Sequence, residues 1–157
     1  VSPAYDISPL SQYPQFIEAC AAWNYGQWGV YSPWGLADSV QIFMHAAEDE
    51  SVLPLTRVAH SGERLLGMAS LVAQDGDARP DLGPWLASVF VHPSYRRRGI
   101  AHRLIEAIVA ASEARGDTAL YLFTPDQQAL YRRHGWRNMG EIDHHGLVCT
   151  LMVRQPG

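Results

Sequence analysis

An uncharged run from Trp85 to Val91 is stopped by His92-Pro93 and followed at once by Arg96-Arg97-Arg98-Gly99 and a periodic apolar segment. The run reads as a strand, because a proline removes a ladder donor and ends the pairing. Ile100, Leu104, Ile105, Ile108, Val109 and Ala111 recur at the spacing of one helix face, and Gly116 stands where a glycine closes a helix. A strand fed so directly into an amphipathic helix is a βα unit, and the rest of the chain must supply neighbours for both. The same stretch builds an anion site. The first amides of a helix have no intrahelical acceptor and its dipole is positive there, so Arg98, Gly99, Ile100 and Ala101 can offer N–H groups to a phosphate. Gly99 and the small Ala101 let it approach, while Arg96, Arg97 and Arg98 add charge.

Around this unit the pattern predicts a short strand at Tyr5 to Ile7 and a helix from about Tyr13 to Trp28 with Ser11 as its cap. Phe16, Ala19, Cys20, Trp23 and Tyr25 to Trp28 would supply the apolar side. A second helix after Ser32-Pro33 would bury Leu36, Val40, Ile42, Phe43 and Ala47. Val52 to His60 and Arg64 to Ala73 read as a hairpin turning at Ser61-Gly62-Glu63, and Gln74 to Gly83 as a polar loop. Beyond the central helix come a strand at Ala119 to Phe123, a helix from Asp126 to His134, a final strand at Leu147 to Val153, and room for one more strand at Trp136 to Ile142. The expected class is α/β: a mixed, mostly antiparallel sheet of six to seven strands with helices on both faces, in one domain spanning residues 1–157.

With 47% hydrophobic and 18% charged residues, the chain can bury a core. Its basic residues are all arginine, and the missing lysine excludes a phosphate loop of the G-x-x-x-x-G-K-[ST] type and a Schiff-base lysine. The net charge of −4 argues against a nucleic-acid or membrane binder, yet residues 84–157 hold nine Arg against six acids, while residues 1–83 hold three against ten. An anion belongs with the second half. Cys20 and Cys149 form no C-x-x-C, the seven histidines show no H-E-x-x-H spacing, and no metal site is expected. His144-His145 could take an ion adventitiously. A secretory leader and an apolar run of spanning length are not evident, so a cytoplasmic protein is the expectation.

Arg96-Arg97-Arg98-Gly99-Ile100-Ala101 after Val89-Phe90-Val91-His92-Pro93 resembles the cofactor signature [RQ]-x-x-G-x-[GA] of the GNAT superfamily of N-acetyltransferases, and the resemblance extends over about Trp85 to Val153. It implies acetyl-coenzyme A as acyl donor, with its diphosphate on residues 96–101. Its pantetheine would run along a strand splayed from its neighbour, pairing with amides around Val89 and Val91, while Phe90 faces the core. Leu130-Tyr131-Arg132-Arg133-His134-Gly135-Trp136 resembles the family's L-Y-x-x-x-G-[FW] segment, which implies that Tyr131 stands at the thioester sulfur as general acid. Asp126 and Gln127 would cap that helix, and Cys149 would be a buried residue and not an acyl carrier.

For the acceptor, a primary amine on a small molecule or a peptide N-terminus, the sequence offers Tyr31, Trp34 and Ser88 as lining. Trp23 and Trp28 fit packing better. The group that takes the amine proton is open among Ser88 through a water, His92, His144, His145 and Glu48 to Glu50. Two alternatives accompany the enzyme: a noncatalytic acyl-coenzyme A binder or a protein-interaction module on the same fold. Many relatives pair through their C-terminal strands, which leaves a homodimer open.

Overall fold

A computed structural model describes residues 4–31 and 33–156, so Ser32 lies outside the described residues. In chain order the elements are β1 (Asp6–Pro9), α1 (Ile17–Trp28), α2 (Leu36–Glu48), β2 (Leu55–Ser61), β3 (Arg64–Val72), β4 (Trp85–Val91), α3 (Ile100–Ala114), β5 (Leu120–Thr124), α4 (Gln128–Arg133), β6 (Arg137–His144) and β7 (Leu147–Arg154). They form one seven-stranded sheet in the order β1-β2-β3-β4-β5-β7-β6. Every pairing is antiparallel except β4 with β5. The expected mixed, mostly antiparallel class is thus observed, and the optional strand is real: β6 closes the sheet as a largely exposed edge outside β7.

The sheet separates two apolar layers. On one face α3 lays Ile100, Leu104, Ile105, Ile108 and Val109 onto Leu66, Leu71, Leu86, Leu120 and Leu122, with Tyr131 and Trp136 in the same cluster. On the other, α1 and α2 bring Phe16, Cys20, Ala21, Phe43 and Ala46 against Val58, Leu65 and Met68. Burial of each large side chain contributes about 1.5–3 kcal/mol, so the α3 stripe alone seats that helix firmly. Gly62, at φ 58, makes the two-residue turn between β2 and β3, a backbone position that a Cβ disfavours.

Two local expectations fail. The segment before α1 is a pair of 3-10 turns, Leu10–Gln12 and Pro14–Phe16, and α1 begins at Ile17 with Phe16 as an uncapped N-cap. Ser11 does not cap it; its hydroxyl donates to Glu50 Oε2 at 2.9 Å, tying the first turn to the end of α2. The second failure concerns the face of α2, where Leu36 and Ile42 are each 47% exposed. Ser39 takes the buried place and donates to the Ala21 carbonyl at 2.9 Å, which lets α1 and α2 approach. The start of α2 is fixed by Asp38 Oδ2 accepting from the Gly35 amide at 2.8 Å.

Candidate functional site

β4 and β5 pair only at Trp85 with Tyr121, where the Tyr121 amide also donates to the Pro84 carbonyl at 3.0 Å. Beyond that pair the strands part, and β5 continues alongside β7 through Thr124. β4 is bent at the same place. Its register against β3 passes from Ser70 with Ala87 to Met68 with Phe90, so Ser88 and Val89 together face Ala69 in a bulge, with Ser88 at φ 57. The Ser88 hydroxyl donates to Asn24 Oδ1 of α1 at 2.7 Å and anchors the bend.

The alternation of a strand decides which groups look into the gap. The His92 amide donates to the Leu66 carbonyl at 2.9 Å, toward β3, so the Val91 amide points the other way, into the opening. The Val91 carbonyl on that side accepts from Arg96 Nε at 3.0 Å. The Phe90 side chain lies on the opposite face, with its ring 5.3 Å from Trp23 and 6.5 Å from Trp28. Its backbone, paired with Met68, turns toward β3, so Phe90 offers the gap neither side chain nor amide. These contacts give Trp23 and Trp28 their packing role, whereas Tyr31 is half-buried in the turn after α1 and Trp34 is 67% exposed.

After Val91, a single 3-10 turn at Pro93–Tyr95 is closed by the Ser94 amide donating to His92 Nδ1 at 3.1 Å. His92 also packs between the rings of Trp23 and Tyr95, so its imidazole is committed to the turn. The chain then reaches α3 through two left-handed residues, Arg97 at φ 66 and Gly99 at φ 76. A left-handed arginine costs about 1 kcal/mol, which marks the turn as held by its surroundings. The Arg103 amide donates to the Gly99 carbonyl at 3.2 Å, so the amides of Gly99, Ile100, Ala101 and His102 precede the first intrahelical bond and remain open. A Cβ built on Gly99 meets nothing within 4 Å: the space beside this backbone is open. The Ile100 side chain, 2% exposed, is a core residue, and only its amide can serve a ligand. Next to the turn lies a cavity of about 650 Å³ lined by Tyr5, Arg64, Tyr95, Arg98, Gly99 and Arg103 among others, with no carboxylate among the described residues of its wall. Arg103 carries a buried Nη1 without a hydrogen-bond partner.

On the far side of the gap, Thr124 ends β5 and its hydroxyl accepts from the amides of Asp126 and Gln127 at 3.4 and 3.0 Å. Thr124 therefore holds the turn ahead of α4, and the capping expected of Asp126 and Gln127 is not seen, since the N-cap Gln127 makes no side-chain cap bond. Tyr131 is 8% exposed, edge-on to Trp136 at 5.7 Å. Burial first, and the charge of Asp126 second, push its phenol up to about 12, so it holds its proton at neutral pH.

Asp75 was not singled out in the sequence, where it is one acid in a polar loop. Protein surrounds its carboxyl although part of the residue stays open, and this desolvation pushes it up to about 7. Asp75 shares its surroundings with Asp126 and Asp143, whose charges, after burial itself, raise the thiol of Cys149. That thiol, 1% exposed, is far from a thiolate. His144 packs on Phe123 at 4.8 Å; burial first and His145 second lower it, and its Nδ1 is enclosed without a partner. Of the early acids, Glu50 is occupied by Arg57 and Ser11.

A splayed parallel pair, a left-handed arginine turn and a helix of open amides define an acyltransferase-type fold. Solved structures share it: an aminoglycoside 6'-N-acetyltransferase complexed with coenzyme A (17% identity, 96% of each chain, TM-score 0.72), Arabidopsis thaliana NAA60 with a bisubstrate analogue (18%, 98% of this chain and 99% of that one, 0.72), and an acetyltransferase from Streptococcus agalactiae (18%, 99% and 100%, 0.70). The profile of the acetyltransferase (GNAT) domain matches residues 48–138, more than half of the sequence. The chain belongs to the GNAT acetyltransferase family. No curated protein sequence matches it.

Proposed function

We propose that residues 1–157 form one N-acetyltransferase unit that passes the acetyl group of acetyl-coenzyme A directly to a primary amine. The observation that carries this reading is the parting of β4 from β5 immediately after Trp85 and Tyr121, which leaves the Val91 amide facing a gap that ends at the open amides of α3. Pantetheine amides would replace the missing strand partner along Val89 to Val91, and the diphosphate would sit on residues 96–101. The arginine-lined cavity beside Gly99 suits the remaining phosphate of the donor.

The amine lone pair attacks the thioester carbonyl, and collapse of the tetrahedral species breaks the C–S bond. Tyr131, protonated at neutral pH, would give its proton to the departing sulfur. Asp75 would receive the amine proton, directly or through water, and with Asp126 and Asp143 would favour a cationic acceptor. Tyr31 and Trp34, with Ser88 at the bulge that borders both regions, would line the acceptor, a peptide N-terminus or a small-molecule amine of the kind the aminoglycoside 6'-N-acetyltransferase takes. Among the described residues no helix is long and apolar enough to cross a membrane, and the two buried free thiols suit a reducing cytoplasm.

The test is a thermal melt with acetyl-coenzyme A against ADP, followed by thiol release on a panel of amines. A ligand that binds only the folded state raises the melting temperature by mass action. A larger shift for acetyl-coenzyme A and amine-dependent thiol release are expected. A shift without turnover on any amine would make the chain a noncatalytic acyl-coenzyme A module, and no shift would remove the donor.

A further inference from the structure

Beside the turn, where His102 also lines the cavity next to Gly99, the first turn of α3 and the end of α4 bring two histidines and a glutamate together. His102 Nδ1 lies 3.2 Å from His134 Nε2, and His134 Nδ1 lies 3.3 Å from Glu106 Oε1. Candidate ligand atoms of the three residues all fall within 4.8 Å of one another. We propose that His102 and His134 bind a divalent transition-metal ion, zinc being the probe of choice, with Glu106 orienting His134, so that the ion clasps α3 to α4.

The arrangement is the one an ion needs before it arrives. A carboxylate only accepts, so His134 Nδ1 carries the proton given to Glu106 and Nε2 is the bare nitrogen. That hydrogen bond from the second ring nitrogen is how proteins fix a metal-binding imidazole. The His134 side chain is 6% exposed and so has little freedom, and its backbone carbonyl is held by Arg154 Nε at 3.0 Å. His102 is exposed and can place its Nδ1 lone pair toward the ion by carrying its proton on Nε2. Two nitrogens on a tetrahedral zinc, each about 2.0–2.1 Å from it, stand about 3.3–3.4 Å apart, close to the separation seen. The remaining positions open to water. His102 and Glu106 follow one another at i and i+4 on α3, while His134 is the residue that ends α4, which is why no ligand spacing is visible in the sequence.

The experiment uses the untagged full chain, stripped with a chelator and titrated with zinc chloride by calorimetry. Saturable one-to-one binding is expected, with the side-chain resonances of His102 and His134 shifting together. His102→Ala, an exposed change that loses only the contact with His134 and keeps the zinc-free fold, should weaken binding about tenfold or more, and Glu106→Gln about tenfold. The double change His144→Ala with His145→Ala should leave it intact. Zinc should raise the melting temperature of the wild type but not of His102→Ala. Absence of saturable binding, full binding by His102→Ala, or loss of binding in the His144 and His145 variant would each overturn the proposal.

Discussion

The regions proposed above for the donor and for the acceptor are made of different material. From Ser88 to Ala101 the site is backbone: a bulge, a strand freed of its neighbour, two left-handed residues and a row of helix-start amides. From Asp75 through Asp126 to Cys149 and His144 it is side chains, contributed by a loop, the start of α4 and the last hairpin. Backbone geometry suits a donor that every turnover shares. Side chains of distant origin can be exchanged without disturbing the sheet, which suits the half of the reaction where specificity is set.

The sharpest way to break this division is Tyr131→Phe, since Tyr131 is the side chain proposed to act where donor and acceptor meet. Loss of a proton donor should lower kcat about a hundredfold, within the range for general acids, and leave the KM for acetyl-coenzyme A within about twofold. Steady-state kinetics with a thiol reagent decides it. Wild-type values for both constants would make Tyr131 a packing partner of Trp136 and nothing more.

Gly99→Val tests the backbone end. The space beside Gly99 is open, so the Cβ of a valine meets no protein atom, but the side chain would enter the proposed phosphate position and must adopt φ 76. Coenzyme A affinity should fall about tenfold or more, with the circular dichroism spectrum of the folded protein retained. Unchanged affinity in calorimetry would move the diphosphate elsewhere.

The backbone end was legible because it is contiguous: strand, proline, arginines, glycine and helix stripe all fall between Trp85 and Ala114. The order of elements was legible for the same reason, each carrying its own period. The α2 face was misread because periodicity counts apolar residues and cannot see that Ser39, bonded to Ala21, permits a close helix crossing that Ile42 would obstruct. Asp75 was invisible because burial of a loop carboxyl depends on what folds over it, and Asn24 because its partner Ser88 is 64 positions away.

Asp75→Asn sharpens the side-chain end through its pH dependence. The folded carboxyl titrates near 7, above its ordinary value, so between about pH 4 and pH 7 the folded state keeps a proton that the unfolded chain has lost. Stability from this group is therefore present at pH 4 and is lost as pH rises through 7. Asparagine removes that loss: urea unfolding should find the variant more stable by about 1–2 kcal/mol at pH 8 and equal to wild type at pH 4. If Asp75 also takes the amine proton, the rise of kcat/KM through about pH 7 disappears in the variant. A gain in stability with an unchanged pH–rate profile would leave the carboxyl structural.

The smallest effect is expected at the start of the backbone end. Ser88 sits at the bulge that opens β4, at a left-handed φ, and holds Asn24 on α1. Ser88→Ala removes that bond and leaves the Asn24 amide oxygen to water, a cost of about 0.5–1 kcal/mol in urea unfolding. Ser88→Gly loses the same bond but relieves the left-handed strain, so it should lie closer to wild type. What separates stability from function here is direction. If the bulge is fixed by the backbone, both variants keep the affinity for coenzyme A, because the β3 register holds β4 in place. If the serine to asparagine bond is what bends the strand, both lose affinity together, and the donor end would depend on a side chain of α1 after all.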